Sequence, residues 1–329
     1  MEEMFLSVLT ISLSSNYSFV EAITEFLPIS STAHLMLLDK IVLSHIPYQA
    51  FDFDLFCVLS QLAAILAVVI VFWRPVWQHK NLWGKLLLAV IPTGLFGVAL
   101  HGVIKNYLQD ASPLTGWMLI IFGVIFSLLD VFWEQKKPTG KISDHLLTTK
   151  WSQEVEKTPW YKMLGIGLGQ SLALIPGVSR SGASIYTARA LGFSKVAATA
   201  LSFIIAVPVI AGAAGLDIVK DIHEMVQIGG QCDGSTAELA PKRYVESIIS
   251  RINQESNREY HPQTFVDCPL PLQTQSYLCI AIYCTLTFVI SLFVCKKLLK
   301  ILASKPFWYF GVWRLVIGIV WLFLFWPNT

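Results

Sequence analysis

The sequence predicts an all-α integral membrane protein with six transmembrane helices and two re-entrant helical hairpins, arranged as an inverted-topology repeat. Of the 329 residues, 54% are hydrophobic and 14% are charged, whereas soluble domains carry about 25% charged residues. Six stretches are apolar over the roughly 20 residues that a spanning helix needs. Two more apolar stretches are broken by proline within clusters of polar side chains. This composition excludes an ordinary soluble enzyme, and the small net charge of +2 argues against a nucleic-acid partner.

The hairpins and spans occur in the same order in the two halves of the chain. The first half, residues 1–135, contains a hairpin and then three spans, at 5–40, 51–73, 86–104 and 115–133. The second half, residues 163–329, contains the same elements at 163–192, 196–216, 277–295 and 307–326. Because three spans reverse the side on which the chain emerges, the second half enters the membrane upside down, as in an inverted-topology repeat.

Basic residues predict the orientation of the spans. Lysine and arginine follow the first, third and fifth spans: Arg74, Lys80, Lys85, Lys136, Lys137, Lys141, Lys150, Lys296, Lys297, Lys300 and Lys305. The positive-inside rule makes this side cytoplasmic, so residues 136–162 form a cytoplasmic linker and both termini are periplasmic. A polar insertion at 217–275 is then periplasmic, and its Cys232 and Cys268 form either a disulfide or two thiols. The acidic start lacks the positive segment of a secretory signal, and we expect no cleaved leader.

The first hairpin combines two carboxylates with hydroxyl groups and an imidazole: Glu21, Glu25, Ser30, Ser31, Thr32 and His34. Glu21 and Glu25 are four residues apart and share one face of the helix that Pro28 ends. In a low-dielectric setting the two repel each other, which favours a shared proton or a bound cation. The hydroxyl groups serve either as helix caps or as a nucleophile. Ordinary capping is the alternative, but ionisable residues inside a membrane are costly and usually functional.

The second hairpin places an arginine among serines and glycines: Pro176, Gly177, Ser179, Arg180, Ser181, Gly182 and Ser184. Glycine lets backbone amides turn toward a ligand, and the helix that follows presents its positive end. The planar guanidinium of Arg180 suits phosphate oxygens. Pairing of Arg180 with a lipid headgroup or a glutamate would explain that residue alone, but not the whole cluster. If the two hairpins meet, their side chains together suit phosphoryl transfer.

Two motifs carry a family resemblance, Glu-x-x-x-Glu-Phe-Leu-Pro-Ile-Ser-Ser-Thr-x-His at 21–34 and Pro-Gly-x-Ser-Arg-Ser-Gly-Ala at 176–183. With them the chain resembles the undecaprenyl-diphosphate phosphatases, the family linked to bacitracin resistance. Ala22 and Ala33 stand where that family usually has glycine, and Ser184 where it usually has threonine, so no chemical group is lost. The resemblance implies hydrolysis of undecaprenyl diphosphate to undecaprenyl phosphate and inorganic phosphate. This reaction recycles the cell-wall lipid carrier in the bacterial inner membrane, at a site facing the periplasm.

The resemblance also implies roles for individual residues. The catalytic set would be Glu21, Glu25, Ser31, His34 and Arg180. The substrate-binding set would be Ser30, Thr32, Ser179, Ser181, Gly182 and Ser184. Glu21 and Glu25 would hold a divalent cation, Mg²⁺ or Ca²⁺, and Ser31 would be the nucleophile with His34 as its base, unless an activated water attacks instead. A homo-oligomer is compatible with this assignment.

The lipid nature of the substrate constrains its route to the site, and a rival function stays open. At about 0.8 kcal/mol per buried CH₂, such a tail stays in the bilayer, so the substrate must reach the site sideways. Inverted repeats and broken helices are also typical of transporters, and a lipid flippase would use the glutamate pair as an ion or proton relay. Arg314, inside the last span, is either structural or catalytic, and Gln61 and Gln170 either line the cavity or pair across helices.

Overall fold

The computed structural model describes residues 15–42, 53–103, 112–134, 144–230 and 271–325, and within them the regular structure is entirely helical. In chain order the helices are α1 (15–24), α2 (Ser31–Val42), α3 (Phe53–Gln78), α4 (Lys80–Ala99), α5 (His101–Val103), α6 (Ser112–Glu134), α7 (Asp144–Lys157), α8 (Trp160–Gln170), α9 (Arg180–Ala190), α10 (Lys195–Gly230), α11 (Pro271–Ser304) and α12 (Trp308–Phe325). The chain forms two compact units, residues 1–210 with 279–329, and residues 211–278. Every contact described below lies within the first unit.

Six of these helices are long and apolar enough to cross a membrane, which confirms the six predicted spans. Their apolar windows are Cys57–Arg74, Asn81–Ala99, Pro113–Trp133, Lys195–Leu216, Ala281–Leu302 and Trp308–Phe325. The chain is therefore a multi-pass membrane protein. Helix α10 continues to Gly230, so the predicted insertion at 217–275 begins inside a helix. Residues 231–270, with Cys232 and Cys268, lie outside the described residues.

Part of the predicted cytoplasmic linker is a packed helix. Helix α7 has Trp151 and Val155 fully buried on one face, four residues apart, which is the spacing of a single helical face. The Lys85 ammonium group donates to the carbonyl oxygen of Val155 at 3.0 Å and to that of Thr158, directly after the end of α7, at 2.6 Å. These bonds satisfy carbonyl groups that the end of a helix leaves without partners. This described part of the linker thus packs against the start of α4.

The two proline-interrupted stretches form pairs of short helices. Helices α1 and α2 are joined by a turn at 25–30, and α8 and α9 by a 3₁₀ turn, Ser171–Leu174, followed by a loop at 175–179. Helices α2, α8 and α9 have 12, 11 and 11 residues, which corresponds to about 16–18 Å. A hydrocarbon core about 30 Å thick needs roughly twice that length. Each of these three helices is therefore too short to cross the membrane by itself.

Glycines let α6 and α12 approach each other closely. A β-carbon at Gly123 would lie 2.9 Å from the Gly311 carbonyl oxygen, and one at Gly311 would lie 2.6 Å from the Gly123 carbonyl oxygen. Gly318 faces the Gly116 carbonyl oxygen in the same way, at 3.0 Å. Small residues at such positions are the usual means of close helix contact in membranes. This packing fixes the position of Arg314, which lies between the two glycines of α12.

Candidate active site

A serine with a left-handed backbone lies directly before the second helix of each short pair. Ser30 has φ 73° and Ser179 has φ 74°, and among the described residues these are the only non-glycine residues with positive φ. The Ser179 hydroxyl group accepts a hydrogen bond from the Gly182 amide at 3.2 Å, as an N-cap. Such strained conformations cost about 1–3 kcal/mol each and cluster at functional sites. Both loops therefore carry the same kind of local strain at the same point.

The carboxylate of Glu25 joins the two loops. The Ser31 hydroxyl group donates to Glu25 Oε2 at 2.5 Å, and Arg180 Nη2 donates to Glu25 Oε1 at 2.6 Å. The side chains of Arg180 and Glu25 are only 17% and 6% exposed. Charge-assisted hydrogen bonds of this kind are among the strongest in proteins. The structure thus brings together the carboxylate, the hydroxyl group and the guanidinium that the sequence predicts to share a site.

Glu21 lies one helical turn before Glu25 and is fully buried. Neither of its carboxylate oxygens has a hydrogen-bond partner within the described part of the chain. In the same residues no group of three His, Cys, Asp or Glu side chains is arranged to hold a metal ion. Mg²⁺, however, is often held by one or two carboxylates together with substrate phosphate oxygens. The unpartnered Glu21 carboxylate fits a cation bound jointly with a phosphate group.

The predicted phosphate-binding residues of the second hairpin divide into two groups. Ser179 and Arg180 lie at the start of α9, where Arg180 contacts Glu25. The Ser181 hydroxyl group instead donates to the Leu27 carbonyl oxygen at 2.7 Å.

Two further members of this set make contacts within the fold. The Ser184 hydroxyl group donates to Ser202 Oγ at 2.7 Å. A β-carbon at Gly182 would lie 2.5 Å from the Phe126 ring, so this glycine permits close packing. Ser181, Ser184 and Gly182 therefore hold the site together in this structure.

His34, the predicted base for Ser31, has its hydrogen-bond partners elsewhere in the described residues. His34 Nδ1 lies 2.8 Å from the Ser30 carbonyl oxygen, and the Trp313 indole N–H donates to His34 Nε2 at 2.9 Å. The two rings stack with their centroids 6.2 Å apart. This pattern corresponds to a neutral imidazole with its proton on Nδ1. The partner of the Ser31 hydroxyl group is thus Glu25, and His34 and the exposed Thr32 lie to one side of that contact.

Arg314 lies at the centre of the site, although the sequence left its role open. Its side chain is fully buried on α12. Nη2 donates to the Gly177 carbonyl oxygen at 2.7 Å, and Nη1 lies 3.5 Å from the Pro28 carbonyl oxygen. One guanidinium therefore contacts both loops. The signal available from sequence was an arginine within an apolar span, which is costly and usually functional.

Comparison with known proteins identifies the family. The family model of bacitracin resistance protein BacA matches residues 16–250. The undecaprenyl-diphosphatase of Persephonella marina is 39% identical over 205 residues, which cover 62% of this chain and 74% of that protein. Undecaprenyl-diphosphatase 1 of Mesorhizobium japonicum is 32% identical over 311 residues, 92% of this chain and 91% of its own. The undecaprenyl-diphosphatase of Enterococcus faecalis is 31% identical over 316 residues, 92% of both chains. The chain therefore belongs to the BacA family of bacitracin resistance proteins.

Proposed function

We propose that this chain hydrolyses undecaprenyl diphosphate to undecaprenyl phosphate and inorganic phosphate. The names of its relatives support this reaction, and none of the relatives described above is named a transporter. The observation that carries the proposal is the Glu25 carboxylate, which contacts a hydroxyl group on one side and a guanidinium on the other. Phosphoryl transfer needs these parts, an activated nucleophile and a fixed positive charge at the phosphate group.

Ser31 is the nucleophile in the reaction that we propose. Its Oγ attacks the terminal phosphorus, and its proton passes to Glu25 Oε2, 2.5 Å away. The bond from that phosphorus to the bridging oxygen breaks, and the prenyl phosphate leaves with the bridging oxygen. Water then hydrolyses the phosphoserine, which releases inorganic phosphate and restores the hydroxyl group. Arg180 and the positive ends of α2 and α9 stabilise the negative charge on the transferring group.

Ser31→Ala tests this step directly. We expect release of inorganic phosphate from undecaprenyl diphosphate by the purified protein to fall about 10²-fold or more, because the attacking oxygen is lost. Acid quenching of the wild-type reaction should leave phosphate on the peptide that contains Ser31. Ser60→Ala is the matched control, since this buried serine on α3 donates to the Cys57 carbonyl oxygen of its own helix. Retention of activity in Ser31→Ala would make water the nucleophile.

Trp313 is proposed to hold His34 in place beside the loop at 25–30. Trp313→Phe keeps an aromatic ring but removes the N–H that donates to His34 Nε2. A hydrogen bond of this kind contributes about 1 kcal/mol, so we expect phosphate release to fall about fivefold. Trp83→Phe, at a half-exposed tryptophan of α4, should release phosphate at the wild-type rate. Equal rates for Trp313→Phe and the wild type would show that the indole N–H has no part in positioning His34.

The implied divalent cation, Mg²⁺ or Ca²⁺, is proposed to bind at Glu21. The support is that this carboxylate is buried and has no other partner in the described residues. Both oxygens of Glu25 already take part in hydrogen bonds, so Glu25 is the second ligand only if one of those bonds is exchanged. A bound cation supplies positive charge to the phosphate oxygens.

We further propose that the short helix pairs are re-entrant hairpins of an inverted-topology repeat. Three apolar helices follow each pair, and each pair has a strained serine before its second helix. The half-length of α2, α8 and α9 and the burial of the two loops support a turn inside the membrane. The basic clusters favour a cytoplasmic position for the ends of the first, third and fifth spans. In this orientation the first hairpin enters a bacterial inner membrane from the periplasmic side and the second from the cytoplasmic side, and we propose that the site between their loops faces the periplasm.

A further inference from the structure

Arg314 is unusual because it is a fully buried arginine whose contacts are carbonyl groups and an aromatic ring. Besides the carbonyl oxygens of Gly177 and Pro28, Nη2 lies 3.4 Å from the carbonyl oxygen of Met118. The guanidinium carbon lies 5.2 Å from the centroid of the Phe126 ring. Within the described chain, no carboxylate forms an ion pair with it, since the ion pairs there join other residues.

A buried charge without a carboxylate partner is expensive, so its position calls for a specific reason. The two carbonyl oxygens that flank the guanidinium belong to different loops, and these loops are far apart in the sequence. Gly177 precedes the strained Ser179 and the Glu25 partner Arg180. Pro28 precedes the strained Ser30. Arg314 thus contacts the backbone of each loop within two residues of its serine.

We infer that Arg314 is a positioning residue, which sets the distance between the loops that carry Ser31 and Arg180. This inference rests on the proposed phosphatase function. A second contact joins the same loops, because the Ser181 hydroxyl group donates to the Leu27 carbonyl oxygen. The glycine-mediated packing of α12 on α6 gives Arg314 a rigid base. Misplacement of reacting groups by about 1 Å can cost 10²-fold in rate. The gain in rate from aligned loops therefore explains why a buried charge that destabilises the fold is kept.

Two substitutions of Arg314 test the inference by steady-state kinetics. Arg314→Met removes the charge and every donor, and we expect kcat to fall about 10²-fold with little change in KM. Arg314→Lys keeps the charge and should recover part of this loss, because an ammonium group can reach one carbonyl oxygen but lacks the fork that reaches two. Lys162→Met is the control, since this lysine also donates to a carbonyl oxygen, that of Leu191 at 2.7 Å, at the other end of α9.

Hydrogen–deuterium exchange of the detergent-solubilised full chain supplies a readout that does not depend on activity. Arg314→Met and Arg314→Lys should raise exchange in the peptides that cover 25–31 and 175–181 together, whereas Lys162→Met should leave both unchanged. If the wild-type protein released no phosphate, the proposed phosphatase function would be wrong. Hydrogen–deuterium exchange would still show whether Arg314 holds the two loops together. Unchanged exchange in either loop, a uniform rise over the whole chain, or wild-type kcat in Arg314→Met would overturn the inference.

A double-mutant cycle separates alignment of the loops from a merely structural role. Ser181→Ala and Arg314→Lys each remove one contact between the same two loops. If both act on one distance, the loss of kcat in the double variant should differ from the product of the single losses by several-fold. Multiplicative losses would mean that the two residues act independently, and would contradict the shared positioning role.

Discussion

Glu25→Gln is expected to lower phosphate release from undecaprenyl diphosphate by about 10²–10⁴-fold, the range associated with loss of a general base. The glutamine amide is nearly the same size, but it cannot accept the Ser31 proton. It also replaces a carboxylate in the charge-assisted bond to Arg180, which is 2.6 Å long in this structure. The measurement is the initial rate of phosphate release by purified protein at saturating substrate. A loss in kcat much larger than any rise in KM is expected, because the proton is transferred only in the transition state.

Asp130→Asn is the matched control for this substitution. Asp130 is also a buried carboxylate, and its Oδ2 accepts hydrogen bonds from the Phe307 and Trp308 amides at the start of α12. Its replacement should lower the melting temperature while kcat per folded molecule stays at the wild-type value. Equal losses of kcat in the two variants would mean that Glu25→Gln acts by disturbing the fold. Glu25 would then not be the general base.

The features that sequence predicted best depend on local composition. Each of the six spans is a long run of apolar residues, and the requirement for about 20 such residues leaves little freedom in where a span lies. The contact between Glu25 and Arg180 is the glutamate pairing that the sequence offered as the alternative to phosphate binding by Arg180. The apolar window Lys195–Leu216 matches the predicted span 196–216, but α10 itself continues to Gly230, into the segment that was predicted as a polar insertion.

Contacts that depend on side-chain direction were beyond sequence reasoning. His34 follows Ser31 by three residues, and the family resemblance implied that the two are a nucleophile and its base. The imidazole is instead held by Trp313, which is 279 residues away along the chain. Arg314 and Pro28 are separated by 286 residues. Only the packing of α12 on α6 brings these groups to the loops, and periodicity within one segment carries no information on such packing.

The structure pairs the serines of the two loops differently from an alignment of their sequence motifs. The shared Pro-x-x-Ser pattern aligns Ser31 with Ser179. In the structure, Ser30 and Ser179 have the same left-handed backbone and the same place directly before a helix. The second loop therefore contains one more residue between proline and the strained serine. We therefore treat Ser30 and Ser179 as the equivalent positions, because the turn before each helix requires a positive φ there.

Glu21→Met is expected to raise the stability of the protein and to abolish most of its phosphatase activity. The Glu21 carboxylate is fully buried, with no hydrogen-bond partner for either oxygen in the described residues. Removing unsatisfied buried polar atoms should raise the free energy of unfolding by about 1–3 kcal/mol. Phosphate release should fall at least tenfold, since a costly unpaired carboxylate persists in a membrane only where function requires it. The measurements are the melting temperature in detergent and the rate of phosphate release.

The contrast with Glu25→Gln makes the test of Glu21 specific. Glu25 has partners on both oxygens, so its replacement should lower the melting temperature, whereas replacement of Glu21 should raise it. If Glu21 also binds a divalent cation, added Mg²⁺ or Ca²⁺ should raise the melting temperature of the wild type and leave that of Glu21→Met unchanged. A lower melting temperature in Glu21→Met without any cation would mean that the carboxylate stabilises the fold. Its burial would then need no functional reason, and Glu25 would be the only carboxylate left in the proposed site.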